Sequence, residues 1–129
     1  MNKLSGSIKE IHEQGSLAII DLEAGSISLK AIIINPDAQF VKGAKVEILF
    51  KETEVLIGTG DCSHLSAQNQ IHGQISSLEK DALLSRLELN TPVGNIVAII
   101  TTAAVERLSL KTGDAVTALI KTNEIMVSH

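Results

Sequence analysis

The run Ser66-Ala67-Gln68-Asn69-Gln70 offers hydroxyl, carboxamide and backbone donors without a single charge, just before a segment that reads as a strand. Such a run either solvates a loop or forms a cradle for a ligand that wants hydrogen-bond donors rather than full positive charges. Cys62, His64 and His72 fall within eleven residues and have the right types for metal ligands. Their spacing matches no structural zinc pattern and a fourth ligand is not evident, so they read as linker residues with no metal ligand among them. No glycine-rich phosphate loop, nucleophile elbow or zinc-protease motif occurs, and the carboxylates are scattered on the wet faces of strands. The chain does not read as an enzyme.

Composition narrows the partners. Apolar residues make up 44% of the 129 and charged residues 20%, an ordinary globular balance. The apolar set is almost entirely Ile, Leu, Val and Ala, with two Phe and neither Trp nor Tyr, which suits sheet. A net charge of −4 lacks the basic stripe that nucleic-acid binders use, and the missing aromatics remove the stacking platform of single-strand binders. One cysteine cannot form an internal disulfide, and neither a signal peptide nor a membrane-length apolar run is present, so a cytoplasmic chain without membrane contact is expected.

The elements that must position the donor-rich run are written twice. Leu49-Phe50-Lys51-Glu52-Thr53-Glu54-Val55-Leu56-Ile57 aligns with Leu119-Ile120-Lys121-Thr122-Asn123-Glu124-Ile125-Met126-Val127, each preceded at the same distance by a turn glycine, Gly43 or Gly113. Upstream, Gly6-Ser7-Ile8 matches Gly73-Gln74-Ile75 and Ala31-Ile32-Ile33 matches Ala98-Ile99-Ile100, at equal spacing. Between those blocks and the turn glycine the first copy is three residues shorter. Two repeats result, 1–60 and 65–129, joined by a linker around Gly58–His64. In the second, Leu83, Ser85, Leu87 and Leu89 alternate with Leu84, Arg86, Glu88 and Asn90, the period of a strand with one wetter face. Thr102–Leu108 is the only good helical window, and strands are expected at 96–101, Ala115–Lys121 and Glu124–Val127. Short strands with at most one small helix per repeat predict an all-β protein of two tandem, five-stranded, OB-like barrels. Repeats this small would gain core by packing together and oligomerising.

The order of these blocks, from Ser66-Ala67-Gln68-Asn69-Gln70 through Gly73-Gln74-Ile75, Ala98-Ile99-Ile100-Thr101 and Leu108-Ser109-Leu110-Lys111-Thr112-Gly113 to Ala118-Leu119-Ile120-Lys121-Thr122, resembles the Mop or TOBE domain of the molbindins. The same domain occurs in molybdate-responsive transcription regulators and molybdate-transporter ATPases. The resemblance covers 66–127, and 4–57 as a degenerate copy. It implies a cytoplasmic protein that binds molybdate or tungstate, for molybdenum homeostasis, storage or buffering. It also implies a symmetric homo-oligomer, trimer or dimer, with anion sites at domain or subunit contacts. Carried onto this chain, the site residues would be Ser66, Ala67, Gln68, Asn69, Thr101, Lys121 and Thr122. Neutral hydroxyls and amides with one lysine suffice for a tetrahedral dianion even in an acidic chain.

The departures from the family pattern point the other way. Gln68 stands where the family has arginine, and Ala104 lacks the family's polar side chain. The first repeat lacks the Ser-Ala start, replaces the threonine-containing helix entrance with Ile34-Asn35-Pro36-Asp37, and follows Lys51 with Glu52. It reads as scaffold. The alternative function is an oligomerising or regulatory interaction module whose anion sites have decayed, in which Lys121 is an ordinary exposed strand lysine.

Overall fold

The computed structural model describes residues 1–129, and the chain is almost all strand. The first half runs β1 (Asn2–Gln14), β2 (Leu17–Ala24), β3 (Ile27–Ile34), β4 (Lys45–Phe50), a 3-10 turn (Glu52–Glu54) and β5 (Leu56–Gly58). The second repeats it as β6 (Asn69–Lys80), β7 (Leu84–Thr91), β8 (Gly94–Thr101), helix α1 (Thr102–Arg107), β9 (Ala115–Ile120), a 3-10 turn (Thr122–Glu124) and β10 (Met126–Ser128). These form two antiparallel five-stranded sheets of the OB-like type, as expected from the strand patterning.

The alternation decides which face is buried. In β2, Ala18, Ile20, Leu22 and Ala24 point inward, and in β7 Ser85, Leu87 and Leu89 do the same while Leu84 stays exposed. β1 and β6 each carry a bulge, between Ile8 and Glu10 and between Ile75 and Ser77. A bulge bends a long strand and lets it serve two neighbours, here β4 and β2 or β9 and β7. The turn glycines close each sheet on itself: Gly43 donates its N–H to Ile8 O and Gly113 to Ile75 O, both at 2.8 Å. Both glycines have φ near +90°, where a side chain would be strained.

The repeats do not close separately. The sheets run β10-β4-β1-β2-β3 and β5-β9-β6-β7-β8, so each repeat gives its last strand to the other. Met126 pairs with Leu49 and Leu56 with Leu119. After each 3-10 turn, Val55 or Ile125 is buried as the chain crosses over, the first turn lying on β8 and the second on β3. The final strand therefore begins at Met126 rather than Glu124, because Glu124 N–H is bonded to Lys121 O in the turn. A single hydrophobic cluster of 24 buried residues spans both sheets, with Phe50 fully buried in it. Helix α1 ends one residue before the expected Leu108, which has become its C-cap.

Candidate functional site

Lys121 follows β9 directly and leads into the 3-10 turn in extended conformation, with Thr122 as the turn's first residue. Across from it runs the loop before β6. Ser63 N–H bonds to Asp61 Oδ1 at 2.9 Å, and the Gln70 carboxamide donates to the carbonyls of Cys62 and Ala67, both at 3.0 Å. Cys62 is buried against Gly58, where an added Cβ would stand 2.6 Å from its Sγ. These contacts fix the loop so that Ser66, Ala67, Lys121 and Thr122 line one cleft of about 300 Å³, walled by Leu56, Leu65 and Leu119. Leu56 comes from the exchanged strand β5, so both repeats build the cleft.

The electrostatics of the cleft are simple. It has one ammonium and two hydroxyls on its walls and no carboxylate. Lys121 makes no ion pair, like Lys45, Lys51 and Lys80 and unlike Lys3, Lys9, Lys30, Lys42 and Lys111. The corresponding position in the first repeat is different. There Glu52, the counterpart of Thr122, lies 2.6 Å from the Met1 ammonium, which holds its carboxyl below the usual range. Glu54 Oε1 accepts the Lys51 N–H at 3.0 Å, a carboxylate cap that the Thr122–Glu124 turn does not have. A carboxylate thus stands at the first repeat's position where the second has the Thr122 hydroxyl, which disfavours a dianion there.

The remaining expected site residues lie elsewhere. Gln68 is exposed and faces a separate groove of about 390 Å³ with Lys9, Asp21, Ser28 and Lys30. In that groove Lys30 Nζ bonds Asp21 Oδ1 at 2.6 Å, which lowers the Asp21 pKa, assisted by His12 at 3.0 Å. Asn69 is wholly buried, with its carboxamide bonded to the backbone of Lys30. Thr101 caps α1, its Oγ1 accepting the Ala104 N–H at 3.1 Å, and borders a third, apolar groove with Leu84, Ile99 and Leu108. That groove and the Lys121 cleft share Leu56. The fold thus brings together four of the seven residues.

Cys62, His64 and His72 do not converge: His72 Nδ1 lies 3.0 Å from Thr117 Oγ1, and no group of three metal-ligating side chains forms. Sequence reasoning missed the apolar walls and the structural use of Asn69. A signal for the latter existed, since Asn2 and Asn69 both stand four residues ahead of the matched glycines Gly6 and Gly73.

Comparisons with known proteins bear on the family and fold of the chain. The TOBE domain model matches residues 65–127. The molybdenum-pterin-binding protein 1 of Clostridium pasteurianum is 36% identical over 64 residues, 49% of this chain and 94% of that protein. The molybdenum transport protein ModE of Herbaspirillum seropedicae is 32% identical over 110 residues, and there the chain covers only 41% of the relative's length. Among solved structures, the cytoplasmic molybdate-binding protein ModG with molybdate bound superposes with a TM-score of 0.92 at 27% identity, covering 98% of this chain and 94% of that one.

Proposed function

The chain belongs to the molbindin family of TOBE-domain proteins, and from that premise we propose that it binds molybdate or tungstate, as the intact oxyanion, in the Ser66–Lys121 cleft. The observation that carries this reading is the charge balance of the two matched positions. One unpaired lysine with two hydroxyls and no carboxylate lines the second repeat's cleft, while in the first repeat Glu52, ion-paired with the Met1 ammonium, replaces the Thr122 hydroxyl. The ammonium supplies attraction, and Ser66 and Thr122 supply directional donors to oxygens that carry two negative charges. The apolar walls strengthen each of these contacts by keeping water from competing. The protein is then a cytoplasmic binder that stores or buffers the anion, not an enzyme. The unit 65–129 holds the site and 1–60 serves as scaffold, apart from the strand it exchanges.

A second copy of the chain completes the site. The cleft is open on one side, and its mouth continues through Leu56 into the apolar groove below Thr101. Leu56, Leu65 and Leu84, which line these two depressions, are all more than half exposed, an apolar surface of the kind that marks a contact. Packed against this surface, a second copy brings its own Thr101 toward the anion and forms a closed trimer or dimer. Light scattering at micromolar concentration should give two or three times the chain mass, and a monomer there, with or without molybdate, contradicts the assembly.

The direct test of the cleft is Ser66→Ala. Removing one donor to a charged oxygen costs about 1.5 kcal/mol, roughly tenfold in Kd, read by calorimetric titration with molybdate beside the wild type. The placement of Gln68 outside the cleft favours the rival reading, an interaction module with a lapsed site. That reading expects oligomers of the same size and no molybdate binding in either protein.

A further inference from the structure

Asn69 was expected to touch the ligand, and the structure gives it a different partner. Its carboxamide is fully buried, with Oδ1 accepting the Lys30 N–H at 2.7 Å and Nδ2 donating to the Lys30 carbonyl at 2.9 Å. Lys30 lies on β3, the outermost strand of its sheet, and pairs with Asp21 of β2 on its inner side. The carboxamide therefore takes the place of one residue of a neighbouring strand on the edge of the sheet. It staples the start of β6 to the other sheet. Asn2 does the same in the opposite sense: Oδ1 accepts the Val97 N–H at 2.8 Å and Nδ2 donates to the Val97 carbonyl at 2.9 Å, on the edge strand β8.

The two staples are geometrically matched but not functionally matched. Asn69 pairs across the sheet with Ile120, the residue before Lys121, and follows Ser66-Ala67 by only two residues. It ties the segment that follows Ser66-Ala67 to the strand that leads into Lys121. Asn2 pairs with Phe50, the residue before Lys51, where Glu52 and the Met1 ammonium form an ion pair in place of a cleft.

We propose that Asn69 is a positioning residue for the anion: by clamping Lys30 it fixes the Ser66-Ala67 loop against Lys121, so that the first repeat's edge strand sets the shape of the second repeat's site. This rests on the anion reading of the cleft. Losing the clamp leaves the loop held only by the Gln70 and Asp61 contacts and by its pairing with β9, so it shifts against the lysine, and donors displaced by a fraction of an ångström no longer converge on one ligand. The staple also couples the two places reciprocally. An anion that orders the loop suppresses opening of the Asn69–Lys30 contact, by linkage.

The matched pair supplies the test. Asn69→Ala and Asn2→Ala each strand one buried N–H and one carbonyl, and both should lower the thermal midpoint by similar amounts. Titrated with molybdate in the full-length protein below those midpoints, Asn69→Ala should bind about tenfold more weakly or worse, the loss of a well-placed hydrogen bond to a charged group, and Asn2→Ala within about twofold of wild type. Equal affinities in the two variants overturn the proposal. A wild type that binds no molybdate overturns the anion reading itself, and is distinguished by that control. Should either variant fail to fold, amide exchange in the wild type answers the same question. Molybdate should slow exchange at Lys30 and leave Val97 unchanged, and equal slowing at both, or none at Lys30, overturns the clamp.

Discussion

Lys121→Ala is expected to weaken molybdate binding by about 1.5–3 kcal/mol, roughly ten- to hundredfold in Kd, the range for a charge-assisted hydrogen bond. The reason is local. Lys121 is the only cation on the cleft, and it is spent on no carboxylate of its own. The matched change, Lys51→Ala, should leave the affinity within about twofold, because the Glu52 carboxylate, in place of the Thr122 hydroxyl, already makes that position unsuitable for an anion. Titration calorimetry on the three proteins measures both numbers. A larger loss in Lys51→Ala would exchange the roles of the two repeats.

The second large effect is on stability. Phe50→Ala should cost about 3–5 kcal/mol, the usual range for emptying a fully buried aromatic site. Phe50 belongs to a core cluster that runs through both sheets, and the last strand of each repeat is hydrogen-bonded into the other. Unfolding should therefore be one transition, and the substitution should shift all of it. Denaturant unfolding followed by far-ultraviolet circular dichroism and by amide exchange checks this. Two separate transitions, with only the one belonging to residues 2–50 displaced, would show that the repeats are energetically independent.

Much of the fold can be read directly from the chain. The alternation in Leu83–Asn90, the repeated turn glycines and the matched Ile-Lys or Phe-Lys blocks give the strands, their order and the internal symmetry. The exchange of β5 and β10 cannot be read, for a physical reason. Leu56-Ile57 and Met126-Val127 follow nearly identical strands, so the local pattern is equally satisfied by pairing within a repeat or across repeats. What decides is the 3-10 turn after Lys51 or Lys121, which buries Val55 or Ile125 and sends the chain over to the opposite sheet. Three-residue turns leave almost no trace in composition.

The candidate cleft was legible in part and for a similar reason. Ser66, Ala67, Lys121 and Thr122 converge because β6 and β9 are paired neighbours, which the family pattern already implies. Gln68 and Asn69 sit in the same donor-rich run, but the strand geometry turns successive side chains to opposite faces. Gln68 therefore lies exposed in the Lys9–Lys30 groove, and Asn69 goes into the interior to meet Lys30. A carboxamide that binds backbone has the same letter as one that binds a ligand.

Calorimetric titration of the wild-type chain with molybdate and tungstate, with sulfate as a smaller tetrahedral control, tests the central claim most directly. Saturable binding of molybdate and tungstate, lost or strongly weakened in Lys121→Ala, is the predicted result. Absence of saturable heat with either anion in the oligomeric wild type, or binding that Lys121→Ala leaves intact, would contradict it.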